Sequence, residues 1–201
     1  MTDLDTDPGL DDDADPVAEA PARRWRIFGL PVSVVVAGVL GVVMILLIAL
    51  LATRDPAADR QADSPLLGRP APRIEGTTAL EGRPFDSATY DGRWLVVNFF
   101  ATWCVPCVQE HPELIAFQEA QREAGQANVI SVVFEDDRAS VERFFDRNGG
   151  DWPVVLAPST VIADWGVQGV PESFVVDPSG TVRYKLIGGV TAEGLTRLVG
   201  S

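Results

Sequence analysis

The residues best suited to chemistry in this sequence are its two cysteines, Cys104 and Cys107, which stand three positions apart. At this spacing two thiols can close a small disulfide ring that is oxidised and reduced reversibly. Apolar periodicity predicts a helix from Val105 to Ala124, so that Cys104 meets the unpaired N–H groups and partial positive charge of a helix start. This setting lowers the pKa of the Cys104 thiol and predicts Cys104 as the attacking sulfur, with Cys107 as the more shielded resolving thiol.

Two other interpretations of the cysteine pair stay open. The cysteines are either purely structural or half of a zinc site completed by His111, the single histidine. Zinc needs more ligands than this neighbourhood offers. Val108 rather than a histidine follows Cys107, so the pair is not a Cys-x-x-Cys-His haem attachment site.

The composition excludes several other classes of protein. Two cysteines are too few for a disulfide-rich scaffold or a four-cysteine metal cluster. A formal net charge of −13 and a single lysine, Lys185, argue against nucleic acid as a partner. We therefore expect no metal and no cofactor other than the redox-active disulfide of Cys104 and Cys107.

An uncharged stretch of 27 residues separates Arg26 from Arg54. As a helix it would reach about 40 Å, enough to cross roughly 30 Å of hydrocarbon. We expect residues 27–53 to form a transmembrane anchor, since the stretch exceeds the ~7–15 apolar residues of a cleaved signal peptide, the main alternative. Three arginines directly precede the stretch and only Arg54 is equally close behind it, which predicts a single pass through the plasma membrane with a cytoplasmic N-terminus and an extracytoplasmic catalytic domain.

The rest of the chain divides by composition. Residues 1–26 carry a net charge of −5 and few large apolar side chains, which predicts a disordered acidic cytoplasmic tail. Residues 54–71 are polar and contain prolines, as is typical of a linker. Residues 72–201 are numerous enough to form one domain with its own core.

Within this domain, strand-like and helix-like segments alternate. Three continuous apolar runs predict strands that are covered on both faces, at Trp94–Phe100, Asn128–Phe134 and Ser173–Val176. A turn at Asp177–Gly180 and an alternating strand over 181–187 complete a hairpin. Helical patterns cover Val105–Ala124, Ser140–Arg147 and Thr191–Val199. This order predicts an α/β fold in which helices flank a central mixed sheet.

The motifs around the cysteines resemble the thioredoxin superfamily, above all its membrane-anchored TlpA-like branch and the thiol:disulfide interchange proteins of cytochrome c maturation. The resemblance covers about residues 66 to 201. It is carried by Asn98-Phe99-Phe100-Ala101-Thr102-Trp103 before the cysteines, by Glu110 after them, and by Gly166-Val167-Gln168-Gly169-Val170-Pro171-Glu172-Ser173-Phe174. It implies a thioredoxin-like sandwich, with a β-hairpin at 73–85 and an inserted strand–helix unit after the active-site helix.

The resemblance also implies roles for individual residues. Cys104 resembles the nucleophile of the family and Cys107 its resolving thiol. Pro171 resembles a cis-proline that faces the disulfide and presents its backbone to a bound substrate chain. The substrate groove would then be lined by Trp103, Pro106, Val170 and Pro171.

One position departs from the pattern of ordinary thioredoxins, which carry a buried aspartate where this sequence has Asn98. An amide cannot take a proton, so Glu110 is the natural substitute: it follows Cys107 by three residues, on the same side of the helix, where a carboxylate can accept the thiol proton. The alternative is that Glu110 merely suits the first turns of a helix. His111 is expected to be an exposed surface histidine, and Glu172 to lie either beside the groove or exposed at the start of a strand.

We therefore expect a membrane-anchored, extracytoplasmic thiol:disulfide oxidoreductase. The dipeptide between the cysteines, Val105-Pro106, carries no positive charge to stabilise a thiolate further, which favours a reductant. The resemblance implies apocytochrome c as a protein substrate, and a reductant needs a transmembrane donor to recharge it. Two alternatives stay open: a general disulfide oxidase or isomerase of the same fold, and a metal-binding chaperone that uses both thiols with His111.

Overall fold

The computed structural model describes residues 26–27, 30–52 and 61–199, which fall into two compact units divided at residue 54. The first unit contains two short antiparallel strands and a helix: β1 (Arg26–Ile27), β2 (Leu30–Pro31) and α1 (Val32–Ala52). The helix begins directly after Pro31, because the fixed φ and missing N–H of proline suit a helix start and not its interior. It therefore begins five residues later than the expected residue 27.

The large apolar side chains described along α1 are exposed. Judged by length and hydropathy together, the described residues include no helix that qualifies as a membrane span. The anchor predicted for residues 27–53 and its orientation stay predictions. The predicted tail over 1–26, apart from Arg26, and the linker over 54–60 lie outside the described residues.

The second unit alternates strands with helices. Its strands are β3 (Glu75–Thr78), β4 (Pro84–Asp86), β5 (Trp94–Phe100), β6 (Ala127–Val133), β7 (Val154–Leu156), β8 (Glu172–Val176) and β9 (Val182–Ile187). Its helices are a 3₁₀ helix (Ser87–Tyr90), α2 (Val105–Ala124), α3 (Arg138–Asn148), α4 (Ser159–Asp164) and α5 (Ala192–Leu198).

These strands form one sheet in the order β4-β3-β7-β6-β5-β8-β9. The central strands β5, β6 and β7 run parallel, whereas β8 is antiparallel to β5 and β9, and β3 is antiparallel to β4 and β7. The predicted mixed sheet flanked by helices is confirmed, and so is the hairpin expected at 73–85, which β3 and β4 supply.

The central strand β5 is apolar apart from Asn98, because helices cover both of its faces. Val96 and Phe100 point into one core with α2, α3 and α5, while Val97 and Phe99 point into a second core with α4. A strand covered on one face only would alternate apolar and polar residues. The active-site helix α2 follows β5 directly, so a rigid, fully buried strand sets the position of the cysteines.

Residues 61–71, which the sequence predicts as part of the linker, hydrogen-bond to β9 and the turn before it. Ala62 donates its N–H to the Lys185 carbonyl and Gly68 donates to that of Val182, both at 2.9 Å. An edge strand such as β9 offers unpaired backbone groups, and this segment satisfies part of them. The folded unit therefore begins earlier than the predicted residue 72.

Candidate active site

Cys104 and Cys107 form a disulfide at the start of α2, with their Cα atoms 5.2 Å apart. Cys104 is the residue that caps the helix, and its sulfur accepts the N–H of Cys107 at 3.2 Å. Pro106 falls in the first turn, where its missing N–H leaves no hydrogen bond unmade. When the disulfide is reduced, the same N–H and the helix dipole stabilise a thiolate on Cys104.

The two cysteine residues are almost equally buried. Cys104 is 4 % exposed and Cys107 is 3 % exposed, so the more shielded setting expected for Cys107 is not seen in the oxidised form. What distinguishes the two residues is their place in the helix: Cys104 precedes the first turn, and Cys107 lies within it. The assignment of Cys104 as the attacking sulfur therefore rests on the helix N-terminus.

Glu110 is buried one turn after Cys107, and its carboxylate is held by uncharged donors. The side-chain amide of Asn98 donates to Oε1 at 2.8 Å, and the N–H of Val190 donates to Oε2 at 3.0 Å. Burial raises the pKa of Glu110 to about 7, and the two hydrogen bonds oppose that rise. A carboxyl group that titrates near neutral pH can both accept and return a proton there.

The loop after β9 lies against this site. A Cβ atom at Gly189 would stand 3.6 Å from Cβ of Glu110 and 4.0 Å from the carbonyl oxygen of Pro106. The loop thereby closes over the first turn of α2, and its next residue, Val190, supplies one of the donors to Glu110.

The segment before β8 carries the expected cis-proline. The Val170–Pro171 peptide bond is cis, Pro171 is buried and Val170 is half-buried. Val170 packs against the same core cluster that contains both cysteines, while Trp103 and Pro106 are exposed at the start of α2. All four residues predicted for the groove thus belong to the segments around the disulfide.

Glu172 is buried, so the expectation of an exposed residue at the strand start is wrong. Its Oε1 accepts the N–H groups of Gln168 and Gly169 at 3.0 and 3.3 Å. Its Oε2 lies 2.8 Å from Nζ of Lys185 in an ion pair without hydrogen-bond geometry, and Nζ donates instead to the Gly166 carbonyl at 3.2 Å. The pair fastens the loop that carries the cis-proline at both of its ends.

Trp103 is the large exposed side chain next to the disulfide, at 58 % exposure. Its indole N–H donates to the Glu135 carbonyl at 3.2 Å, and Asp136 accepts both the N–H and the hydroxyl of Thr102 at 2.7 and 2.6 Å. These bonds join the segment before Cys104 to the loop after β6. The same loop borders a cleft of about 460 Å³ whose walls include Phe134, Ile162 and Val167.

His111 is buried, so the prediction of an exposed surface histidine is wrong. Its Nε2 lies 2.9 Å from the Gly149 carbonyl, and its ring contacts Phe144, Phe145 and Trp152 with centroids 4.8 to 5.3 Å apart. Burial lowers the pKa of His111, which favours the neutral ring in this aromatic setting.

No group of three metal-ligating side chains occurs among the described residues. Ser131 and Ser173, which hydrogen-bond to Asn98, and Trp152, which donates to Ser131, were not predicted from the sequence. Serines at positions 131 and 173 interrupt two apolar strands, and this interruption is the signal in the sequence that could have revealed them.

The mixed sheet and the disulfide at the helix start define a thioredoxin-fold thiol:disulfide protein. A solved structure of a thioredoxin-family thiol:disulfide interchange protein from Chlorobium tepidum superposes with a TM-score of 0.60 at 31 % identity, covering 69 % of this chain and 97 % of that one. Sequence comparison gives the family: the Redoxin profile matches residues 66–197, and the chain belongs to the Redoxin family.

Two relatives agree with this assignment. The thiol:disulfide interchange protein CycY of Rhizobium leguminosarum is 32 % identical over 68 % of this chain and 63 % of its own length. The thiol:disulfide interchange protein HelX of Rhodobacter capsulatus is 33 % identical over 67 % of this chain and 75 % of its own length. The prediction of a thioredoxin-like thiol:disulfide oxidoreductase is confirmed.

Proposed function

We propose that this protein reduces disulfides in partner proteins, with Cys104 as nucleophile, Cys107 as resolving thiol and Glu110 as the proton acceptor of Cys107. The observation that carries the proposal is the pairing of a cysteine at the N-cap of α2 with a buried carboxyl group one turn beyond the second cysteine. The pKa of Glu110, raised by burial to about 7, suits a group that exchanges a proton at neutral pH.

The reaction transfers two electrons from the reduced cysteine pair to the partner disulfide. The Cys104 thiolate attacks one sulfur of the partner disulfide, which forms a mixed disulfide and releases the other partner sulfur as a thiolate. Cys107 gives its proton to Glu110 and attacks Sγ of Cys104. The bond to the partner breaks, the Cys104–Cys107 disulfide forms, and the two partner thiolates take up the proton from Glu110 and one from solvent.

The reducing direction is supported by the residues around the cysteines. Val105 and Pro106 add no positive charge at the helix start, so nothing beyond the helix itself stabilises the reduced form. A strongly oxidising protein of this class owes its potential to a stabilised thiolate. We therefore expect a redox midpoint below about −180 mV, measured against glutathione buffers, and a value well above it contradicts the reducing direction.

The substrate and the location of the protein follow from resemblance and from sequence. We propose apocytochrome c as substrate and a transmembrane thiol donor as the source of electrons. The uncharged residues 27–53 support a single-pass anchor in the plasma membrane, with a cytoplasmic N-terminus and an extracytoplasmic catalytic domain. Protease added to spheroplasts should digest the Redoxin domain, whereas protection of the domain in intact spheroplasts overturns this orientation.

A trapping experiment tests the whole scheme. Cys107→Ser stops the reaction at the mixed disulfide, so the full-length variant should form a covalent adduct with its substrate that is released by dithiothreitol. Cys104→Ser is the matched control and should form none. An equal yield of adduct from both variants contradicts Cys104 as the nucleophile, and failure of Cys107→Ser to trap any protein contradicts the reductase function.

A further inference from the structure

A row of buried polar side chains crosses the three central strands beneath α2. Asn98 on β5 stands in register with Ser131 on β6 and with Ser173 on β8, and all three are 1 % exposed or less. Polar groups are retained in a sheet interior only when hydrogen bonds compensate their burial. Each member of this row should therefore have a hydrogen-bond partner.

The row of hydrogen bonds begins at Trp152. An indole N–H can only donate, and it donates to Oγ of Ser131 at 2.9 Å. The hydroxyl hydrogen of Ser131 is then directed to Oδ1 of Asn98, at 3.4 Å, the longest link. With Oδ1 accepting, the NH₂ group of Asn98 must point the other way, towards Oε1 of Glu110 at 2.8 Å and Oγ of Ser173 at 3.1 Å.

The row thus ends on the carboxylate of Glu110, and all its donors point towards that group. The causes that shift the pKa of Glu110 are burial, the Asn98 amide and the Val190 N–H, and none of them is a charged side chain. The titratable neighbours on α2 are engaged elsewhere: His111 contacts the Gly149 carbonyl, and Glu113 accepts the N–H of Ala192 at 2.9 Å.

We propose that Trp152, Ser131 and Asn98 form a donor chain that positions the Glu110 carboxylate and favours its ionised form, so that Glu110 can accept the proton of Cys107. This inference rests on the proposed role of Glu110. The three residues are positioning residues, since none of them reaches the reacting sulfurs. The donor chain stabilises the Glu110 carboxylate with neutral dipoles instead of a cation, and it leaves Glu110 able to gain and lose a proton.

The donor chain is tested by the pH dependence of disulfide reduction. Reduced full-length protein is mixed rapidly with excess oxidised glutathione from about pH 5 to about pH 9, and quenching separates formation of the adduct by Cys104 from its resolution by Cys107. The midpoint of the resolution rate against pH is the pH at which Glu110 ionises. Trp152→Phe keeps a smaller aromatic ring and removes the indole N–H, so the midpoint should rise by about 0.5 pH unit, a threefold loss of rate below it. Ser131→Ala should give a similar rise, and Asn98→Ala a larger one of about 1 unit.

The protein contains a matched control residue, Trp165. It is also buried, and its indole N–H has no hydrogen-bond partner among the described residues. Trp165→Phe should leave the midpoint unchanged, although both Trp→Phe variants lose packing, which thermal unfolding measures. Should Trp152→Phe fail to fold, Ser131→Ala carries the same test.

The outcomes separate this inference from the function on which it rests. If Glu110→Gln removes the midpoint but Trp152→Phe and Ser131→Ala behave like Trp165→Phe, the donor chain is overturned and Glu110 keeps its role. If Glu110→Gln leaves the profile of the unmodified protein intact, Glu110 is not the proton acceptor, and the inference falls with it.

Discussion

Two glutamates are buried among the described side chains of the Redoxin domain, and they differ in the charge of their partners. Glu110 and Glu172 are 3 % and 4 % exposed. Glu172 faces the ammonium group of Lys185 at 2.8 Å, whereas Glu110 is held by the Asn98 amide and the Val190 N–H. Glu172 therefore has a charged partner, whereas both donors to Glu110 are neutral.

The contrast suggests separate tasks for the two carboxylates. Glu172 holds the loop of residues 166–171 in place by accepting the N–H groups of Gln168 and Gly169. Glu110 lies on the active-site helix, three residues after Cys107, and burial raises its pKa to about 7. The same substitution, glutamate to glutamine, should therefore affect stability at one position and catalysis at the other.

The largest effect is expected from Glu172→Gln. It leaves the ammonium group of Lys185 buried without a countercharge, which should lower the free energy of unfolding by about 3–5 kcal/mol. Urea unfolding at neutral pH measures this loss. Glu193→Gln, which removes the exposed pair with Arg197, is the control and should change stability by less than about 1 kcal/mol. Equal losses in both variants mean that burial of the pair does not matter.

The next effect concerns the pH dependence of stability. The folded pKa of Glu110, about 7, lies above its ordinary value, so between these two values the folded protein holds a proton that the unfolded chain has lost. Stability therefore falls as the pH rises through this window, by about 3 kcal/mol in total. Unfolding of Glu110→Gln at several pH values should lack this decline, and an identical slope in both proteins contradicts the raised pKa.

The rate of catalysis should fall in Glu110→Gln, and much less when the Glu172–Lys185 ion pair is altered. Loss of a general base slows a step by about 100-fold, equivalent to nearly 3 kcal/mol, so resolution of the mixed disulfide by Cys107 should slow to that extent. Quenched-flow analysis of the adduct with oxidised glutathione measures the step. Formation of the adduct by Cys104 should be nearly unchanged, which separates a role in resolution from general damage to the site.

The smallest effect is expected when both members of the ion pair are replaced together. The double variant Glu172→Leu, Lys185→Met leaves no buried charge, and the released N–H of the exposed Gln168 can bind water. Its stability should lie within about 1.5 kcal/mol of the unmodified protein, well above that of Glu172→Gln. If the double variant is as unstable as Glu172→Gln, the stabilisation comes from the hydrogen bonds to the loop of residues 166–171 and not from the paired charges.

Much of the fold was predictable because the signals were long or strong. The helix α2 has the predicted bounds, Val105–Ala124, since its apolar period spans five turns and Gly125 ends it in the left-handed conformation with φ 66°. The strand β5 was predicted over its full length from a continuous apolar run. The three-residue strand β7 and the six-residue helix α4 were missed, because such short segments carry too little periodicity.

The wrong predictions concern side chains whose setting depends on distant residues. His111 was expected on the surface from its position on α2, but Phe144 and Phe145 of α3 and Trp152 after it enclose its ring. Glu172 was expected either beside the groove or exposed at the start of a strand, but it is buried against Lys185 of the neighbouring strand. A single sequence gives no account of such contacts, since they arise only when the elements pack.

The sequence by itself determined the chemistry: two cysteines three apart at a helix start, a carboxyl group one turn beyond them, and a proline before the strand at 172. Local spacing suffices for the cysteines and the carboxyl group, because the pitch of one helix sets their positions, and the proline directly precedes its strand in the sequence. Only the tertiary structure decided which carboxylate is paired with a cation and which with neutral donors. That difference comes from the packing of the sheet. Asn98 on β5 reaches Glu110 on α2. Lys185 on β9 lies beside Glu172 on β8.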